Sequence, residues 1–148
     1  MSPSGPSRPT PLMQEVGAQL SRLLASARAT TTETAARFHP DLQPAAFHVA
    51  RWLLAFGPAR TGDIARGVAM DRSAVSRLVD ALRVAGLVQV HADPSDKRAN
   101  LTRLTNDGRT QVTRALAWKG GVLHGRLATW NDRDLRQFAR LLDKLNAS

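Results

Sequence analysis

The segment from Asp71 to Gly86 carries the clearest helical pattern in the chain. Its apolar residues recur at i, i+3, i+4 and i+7 and so share one helix face: Val75, Leu78, Val79 and Leu82. Asp71 is suited to capping the first turn, and Gly86 to the left-handed conformation after which Leu87 can fold back on the helix. The pattern therefore predicts a helix with an apolar back and a polar front.

Three further amphipathic helices are predicted before this one, from the same spacing of apolar residues. They cover about residues 12–37, residues 44–56 with a stop at Gly57-Pro58, and about residues 61–68 with Thr61 as the cap. Only residues 67–70 separate the third helix from the polar-faced fourth. This pair predicts a helix-turn-helix, in which the second helix enters the major groove of DNA.

The residues after this pair predict a β-hairpin. Residues 87–91 alternate apolar and polar after their first step, residues 92–98 are polar and rich in turn formers, and residues 99–104 can return as a second strand. A hairpin with a basic tip beside a recognition helix is a wing, and its arginine can reach the minor groove. The expected fold class is mainly α with a small β-hairpin wing, a winged helix-turn-helix.

Two more helices are predicted after the wing. Thr105 is suited to capping a fifth helix that extends to about residue 129, with Gly120-Gly121 as a candidate bend. Asn131 and Asp134 resemble a capping box at the start of a sixth helix. The apolar faces of the first, fifth and sixth helices lie outside the DNA-reading unit, and a second copy of the chain is their simplest cover.

The charge balance favours an anionic partner. Lysine and arginine outnumber aspartate and glutamate by 21 to 12 in 148 residues, a net charge of +9 that suits nucleic acid or an acidic membrane.

The chain has no cysteine, and its four histidines lack ligand-like spacing, so we expect no metal and no cofactor. Residues 1–11, rich in proline, resemble a disordered tail and lack the apolar centre of a signal peptide. With no apolar run near 20 residues, we expect a cytoplasmic protein without a membrane partner.

Residues 61–109 resemble the MarR family of winged helix-turn-helix transcription regulators. Two segments carry the resemblance, D-R-S-A-V-S-R-L-V-D-A-L-R-V-A-G-L-V and the wing motif D-P-S-D-K-R-A-N-L-T-R-L-T-N-D-G-R. The resemblance implies a homodimer that binds a palindromic operator in double-stranded DNA. Its expected parts are a first dimerisation helix and linker at 12–43, a winged lobe at 44–109 and C-terminal dimerisation helices at 110–148.

The resemblance also implies a set of DNA-binding residues. Those expected to face the major groove or its phosphates are Arg72, Ser73, Ala74, Ser76 and Arg77. Arg98 would enter the minor groove at the wing tip, with Asp96 holding its guanidinium in place. Lys97 stands where many members carry arginine, so we expect a weaker phosphate contact from it.

Many members of this family bind a small aromatic effector between the dimer helices and the winged lobe. The candidate residues here are Phe38, His39, Phe47, His48, Arg51 and Trp52, with Arg51 able to hold a carboxylate. The alternative, which we favour, is that Phe47 and Trp52 are packing residues of the core or the dimer, because aromatic stripes usually pack. The absence of cysteine contradicts oxidant sensing through a thiol.

The preferred function is a dimeric transcriptional regulator, most simply a repressor that occupies its operator. The alternative is a winged-helix protein used for non-specific DNA packaging or for protein contacts, which the seven basic and three acidic residues from Thr110 onward allow. An enzyme is the third and most distant hypothesis. The chain contains no G-x-S-x-G elbow, phosphate-binding glycine loop or H-E-x-x-H motif.

Overall fold

The computed structural model describes residues 9–147 as six helices and one two-stranded antiparallel sheet. The elements are α1 (Pro11–Phe38), α2 (Pro44–Phe56), α3 (Thr61–Gly67), α4 (Arg72–Val84), β1 (Val88–Asp93), β2 (Asp96–Leu104), α5 (Asn106–Leu127) and α6 (Asp132–Asn146). This order confirms the predicted fold class. The expected N-terminal tail lies mostly outside the described residues, and its last residue, Pro11, already belongs to α1.

Helix α1 is continuous through its threonine-rich end. Thr10 caps its start by accepting from the Met13 N–H at 3.3 Å. The hydroxyls of four threonines donate to carbonyl oxygens four residues earlier at 2.6–3.2 Å: Thr30, Thr31, Thr32 and Thr34. These bonds satisfy the hydroxyls inside the helix, so residues with low helix propensity are accommodated there.

The core lies between α2, α3, α4 and the sheet, and is closed by the end of α1 and the beginning of α5. Its largest fully buried side chains are Phe47, Ile64, Leu82, Val49, Val75, Val88, Val112, Thr34 and Thr102. The whole predicted apolar stripe of α4 is buried. The polar front of α4 consequently faces away from the core, as its sequence pattern predicts.

Helix α4 ends in the predicted Schellman arrangement. Gly86 adopts a φ of 74°, its N–H donates to the Arg83 carbonyl at 3.0 Å, and the Leu87 N–H donates to the Leu82 carbonyl at 2.9 Å. Glycine adopts this left-handed conformation without steric cost. The turn places Leu87 in the core and directs the chain into β1.

The predicted cap of α3 is wrong by one residue. Arg60, not Thr61, occupies the cap position with an extended backbone, and no side chain caps the helix. Thr61 is already helical, so its hydroxyl does not occupy the capping position. The guanidinium of Arg60 is directed to the wing instead.

The wing has longer strands and a shorter tip than the sequence predicts. Only Pro94 and Ser95 form the turn, whereas residues 92–98 were expected to be the tip. The Asp93 carboxylate accepts from the N–H and the hydroxyl of Ser95 at 2.9 and 2.7 Å, and this local turn reverses the chain in two residues. A shift of register between Ala92 and Asp93 accommodates it.

Helix α5 joins the core to the C-terminal part of the chain. Thr105 caps it by accepting from the Gly108 N–H at 3.0 Å, as predicted. The first half buries Gly108, Val112 and Ala115, so α5 crosses the expected lobe boundary at residue 109. The helix also continues through Gly120-Gly121 without interruption.

Helix α6 begins as predicted, and its apolar face is only partly covered. The Asp134 N–H donates to Asn131 Oδ1 at 2.9 Å, which is the forward bond of the predicted cap. No residue of α6 is buried, and Leu141 and Leu145 are 54% and 53% exposed. A helix with a strong apolar stripe and no buried residue has a face available for another surface.

Candidate nucleic-acid interface

Asp71 organises the first turn of α4. Its Oδ1 accepts from the Ala74 N–H at 2.8 Å and from the Ser73 hydroxyl at 2.6 Å. These two bonds, with that of Ser73 the larger cause, lower the pKa of Asp71 below its ordinary value. The turn that carries the candidate DNA-reading side chains is therefore held by a charged cap.

The α4 residues predicted to read DNA differ in their exposure and in their hydrogen bonds. Arg72, Ser76 and Arg77 are exposed on the polar front. Ser73 is also exposed, but its hydroxyl proton is engaged by Asp71, which leaves its oxygen free to accept and not to donate. Ala74 is half-buried and lines a shallow groove of about 330 Å³ next to Arg77.

Four arginines line a second groove between α3, α4 and β2. This cationic groove has a volume of about 390 Å³, and its arginines are Arg60, Arg66, Arg72 and Arg98. Arg60 and Arg66 hold carboxylates of the same chain, Asp93 and Asp63 respectively. Within residues 9–147, Arg72 and Arg98 form no ion pair. The structure thus brings the α4 arginine and the wing arginine to one groove with their charges uncompensated.

The expected pair between Asp96 and the guanidinium of Arg98 is wrong. Asp96 Oδ1 accepts from the backbone N–H of Arg98 at 3.1 Å, and Asp96 Oδ2 lies 3.7 Å from Nη1 of Arg60. The Asp96 carboxylate is half-buried at the start of β2 and lies beside the Arg60 guanidinium. Arg98 and Lys97 both remain exposed on the wing.

Arg60 contacts Asp93, a pairing that the sequence did not predict. Its Nε and Nη2 both donate to Asp93 Oδ2, at 2.9 and 2.6 Å, across 33 residues of chain. Hydrogen bonds from Ser95, followed by that from Arg60, lower the pKa of Asp93 from 3.8 to about 2. Asp93 in turn raises the pKa of Arg60. No local pattern near Arg60 indicates this partner.

The candidate effector residues separate into two groups. Phe38 and Phe47 are 2% and 1% exposed and pack on each other with ring centroids 5.6 Å apart. Both side chains belong to the buried core, so Phe47 packs as the favoured alternative expects, and the effector role of the two residues stays a prediction. His39 also lies apart, accepting the Asp41 N–H at 3.3 Å in the turn after α1.

The other three effector candidates line one groove of about 440 Å³ against the turn between α3 and α4. This aromatic groove is formed by His48, Arg51, Trp52, Ala55, Phe56, Gly67, Val68 and Ala69. The rings of Trp52 and Phe56 are 4.9 Å apart, and Trp52 lies so close to Gly67 that a Cβ there would be 2.0 Å from its Nε1. Burial, Arg51 and Lys119 lower the pKa of His48.

Two structural features are absent from residues 9–147. That part of the chain contains no cluster of three or more histidine, aspartate or glutamate side chains arranged for a metal ion. Nor does it contain a helix both long enough and apolar enough to span a membrane.

The arrangement of helix-turn-helix and wing matches known proteins. Residues 41–99, which include α2, α3, α4 and the wing tip, match the MarR family model. The winged lobe is therefore similar to that of the MarR family. The uncharacterised HTH-type transcriptional regulator YxaD of Bacillus subtilis (strain 168) is similar to it, with 28% identity over 106 residues, covering 72% of this chain and 74% of YxaD.

Two solved structures show how much of this chain shares a known fold. YusO of Bacillus subtilis superposes with a TM-score of 0.82 at 22% identity, covering 93% of this chain and 96% of YusO. BpsR of Bordetella bronchiseptica, whose DNA binding is regulated by 6-hydroxynicotinic acid, superposes with a TM-score of 0.62 at 25% identity, covering 95% and 99%. The similarity therefore includes the helices that flank the winged lobe.

Proposed function

We propose that this protein is a MarR-family transcriptional regulator, a homodimeric, cytoplasmic repressor that binds a palindromic operator. The observation that carries the proposal is the cationic groove, where the uncompensated charges of Arg72 and Arg98 lie between the recognition helix and the wing. Arg72, Ser76 and Arg77 on α4 would contact the major groove and its phosphates, and Arg98 the adjacent minor groove. Lys97 would add a phosphate contact.

The dimer is supported by the apolar surface of the flanking helices. Exposed large apolar side chains lie on α1, α5 and α6: Leu12, Met13, Val16, Leu23, Leu24, Leu123, Leu141 and Leu145. A soluble monomer rarely exposes so much apolar side-chain area on one set of helices. A two-fold dimer would cover it and place two α4 helices on successive major grooves, about 34–36 Å apart.

Selection of bound fragments from the source genome tests the DNA-binding proposal. We expect a palindrome with half-sites about 10 base pairs apart, bound with a Kd of about 10⁻⁸ M or tighter at physiological salt. Affinity should fall steeply as salt rises, because arginine contacts release counterions from the phosphates. Equal affinity for random DNA would reject specific regulation and favour DNA packaging.

Sedimentation velocity of two α6 variants tests the dimer. Leu141→Glu places a carboxylate on the exposed apolar stripe, and Gln137→Glu places the same charge beside Arg133 and Arg140 on the basic face. We expect Leu141→Glu to shift the protein to monomer and to weaken operator binding, and Gln137→Glu to remain dimeric. A dimeric Leu141→Glu protein would place the interface elsewhere.

We further propose that the aromatic groove binds a planar aromatic carboxylate that releases the protein from DNA. Trp52 and Phe56 provide an aromatic wall, and Arg51 is placed to pair with the carboxylate. The effector of BpsR, 6-hydroxynicotinic acid, belongs to this chemical class. The groove is bounded by Gly67, Val68 and Ala69, so an occupant would touch the turn that orients α4.

Calorimetric titration with 6-hydroxynicotinic acid, benzoate and neutral benzamide tests this assignment. We expect the carboxylates to bind and benzamide to bind at least about tenfold more weakly, because a charged hydrogen bond is lost. Arg51→Gln should abolish that preference, whereas Arg136→Gln, on α6, should keep it. Identical binding of the acids by Arg51→Gln and the parent would remove Arg51 from the site.

A further inference from the structure

The guanidinium of Arg60 connects the start of α3 to both ends of the wing tip. Its Nε and Nη2 donate to Asp93 Oδ2 at 2.9 and 2.6 Å, and its Nη1 lies 3.7 Å from Asp96 Oδ2. Asp93 is the last residue of β1 and Asp96 the first of β2. One side chain therefore holds the two carboxylates that flank the turn.

Each carboxylate also holds the backbone of the wing through its second oxygen. Asp93 Oδ1 accepts the N–H of Ser95 at 2.9 Å and its hydroxyl at 2.7 Å. Asp96 Oδ1 accepts the backbone N–H of Arg98 at 3.1 Å. A displacement of Arg60 would consequently be transmitted to the backbone that carries Arg98.

The base of the wing has a separate attachment next to Arg60. Ala59 donates to the Thr102 carbonyl at 3.0 Å and accepts from the Thr102 N–H at 2.9 Å. Thr102 is 1% exposed, so this bridge belongs to the core. The backbone of Ala59 thus fixes the base of the hairpin, and the side chain of Arg60 fixes its tip.

We propose that Arg60, Asp93 and Asp96 form a wing latch, in which Arg60 is a positioning residue that sets where the wing presents Arg98 to DNA. The inference rests on the proposed function, in which Arg98 contacts the minor groove. Half of the Arg60 side chain is accessible from the cationic groove, with a relative exposure of 43%. A direct contact of Arg60 with phosphate is therefore the competing explanation.

A mutant cycle on operator binding separates the two roles of Arg60. If the latch exists, Arg60→Gln and Asp93→Asn each weaken operator binding by about tenfold, within the 10- to 100-fold range of one arginine contact. The double variant then binds the operator no more weakly than either single variant. Neither substitution weakens binding further in an Arg98→Ala background. If Arg60 instead contacts phosphate directly, Asp93→Asn frees its charge and leaves binding equal or tighter, which would overturn the proposal.

Two matched variants show that the effect is not a general loss of charge. Arg136→Gln removes the same charge from an exposed pair with Asp132 on α6 and should leave operator affinity unchanged. Arg60→Lys keeps the charge but can bind only one carboxylate at a time, so it should recover part of the affinity. Parental affinity of Arg60→Lys would show that charge alone suffices and would contradict the geometric role, as would a full loss of affinity with Arg136→Gln.

Hydrogen exchange of the free protein tests the latch without DNA. Arg60→Gln should raise the exchange rate of the amides of Ser95 and Arg98 by at least about fivefold, while the urea midpoint stays close to that of the parent. Unchanged exchange would overturn the latch. If exchange rises but Arg98→Ala leaves operator affinity intact, the latch is supported and the proposed DNA contact of Arg98 fails.

Discussion

Gly108 lies where α5 passes close to the backbone of the winged lobe. A Cβ at this residue would lie 2.0 Å from the Leu87 carbonyl oxygen and 3.2 Å from Leu104 Cδ2. The Leu87 oxygen is backbone, and it already accepts the Thr105 N–H at 3.0 Å. Gly108→Ala therefore requires the start of α5 to move away from the lobe.

The magnitude of the Gly108→Ala effect follows from two opposing contributions. Alanine favours a helix by about 0.5–1 kcal/mol over glycine. Overpacking costs about 1–3 kcal/mol, and disturbing the hydrogen bond to Leu87 adds about 1 kcal/mol. The steric contribution is larger, so we expect a net destabilisation of about 2 kcal/mol.

Thermal unfolding at a fixed protein concentration measures this effect. A loss of about 2 kcal/mol corresponds to a fall in Tm of about 4–8 °C for a chain of this size. Gly62→Ala is the matched control, because Gly62 also lies in the first turn of a helix and a Cβ there meets nothing within 4 Å. We expect Gly62→Ala to be neutral or slightly stabilising. A Gly108→Ala protein that unfolds at or above the parental Tm would refute the reasoning.

Three further predictions concern the wing and the turn before α4. The pKa of Asp93 is lowered from 3.8 to about 2 in the folded protein, so its contribution to stability is present above about pH 4 and is lost towards pH 2. Asp93→Asn should therefore flatten that part of the acid-unfolding curve, and an unchanged curve would contradict this. Arg98→Ala should weaken operator binding by about 10- to 100-fold in an anisotropy titration, with equal affinity counting against the wing assignment. Ala69, at φ 54°, is strained; Ala69→Gly should raise the unfolding free energy in urea by about 0.5 kcal/mol, and a decrease would show that the strain is absent.

Elements whose determinants are close in the chain were predicted accurately. The stripe of α4, its Asp71 cap and its stop at Gly86 all depend on partners no more than five residues away. The caps at Thr105 and Asn131 are equally local, since each accepts an N–H three residues later. Such short-range hydrogen bonds and side-chain spacings are readable from sequence because the helix itself sets the geometry.

The aromatic residues show where sequence patterns stop being informative. Phe47 and Trp52 lie on the same helix, yet Phe47 is 1% exposed in the core and Trp52 lines a surface groove with Phe56. Their residue types and spacing do not distinguish these environments. Which face of α2 is covered depends on how α1, α4 and α5 pack on it, and no interaction within α2 determines that.

The wing shows most clearly the difference between local and long-range determinants of the structure. The hairpin with a basic tip after α4 was predictable from sequence, because alternation and turn-forming residues are local signals. The folded structure was needed to show that Asp96 faces Arg60 and not the Arg98 guanidinium, and that the side chain of Arg60, from the N-cap of α3, holds Asp93. That contact joins residues 33 apart in the chain. It exists only because folding brings α3 against the hairpin, so no local pattern could reveal it.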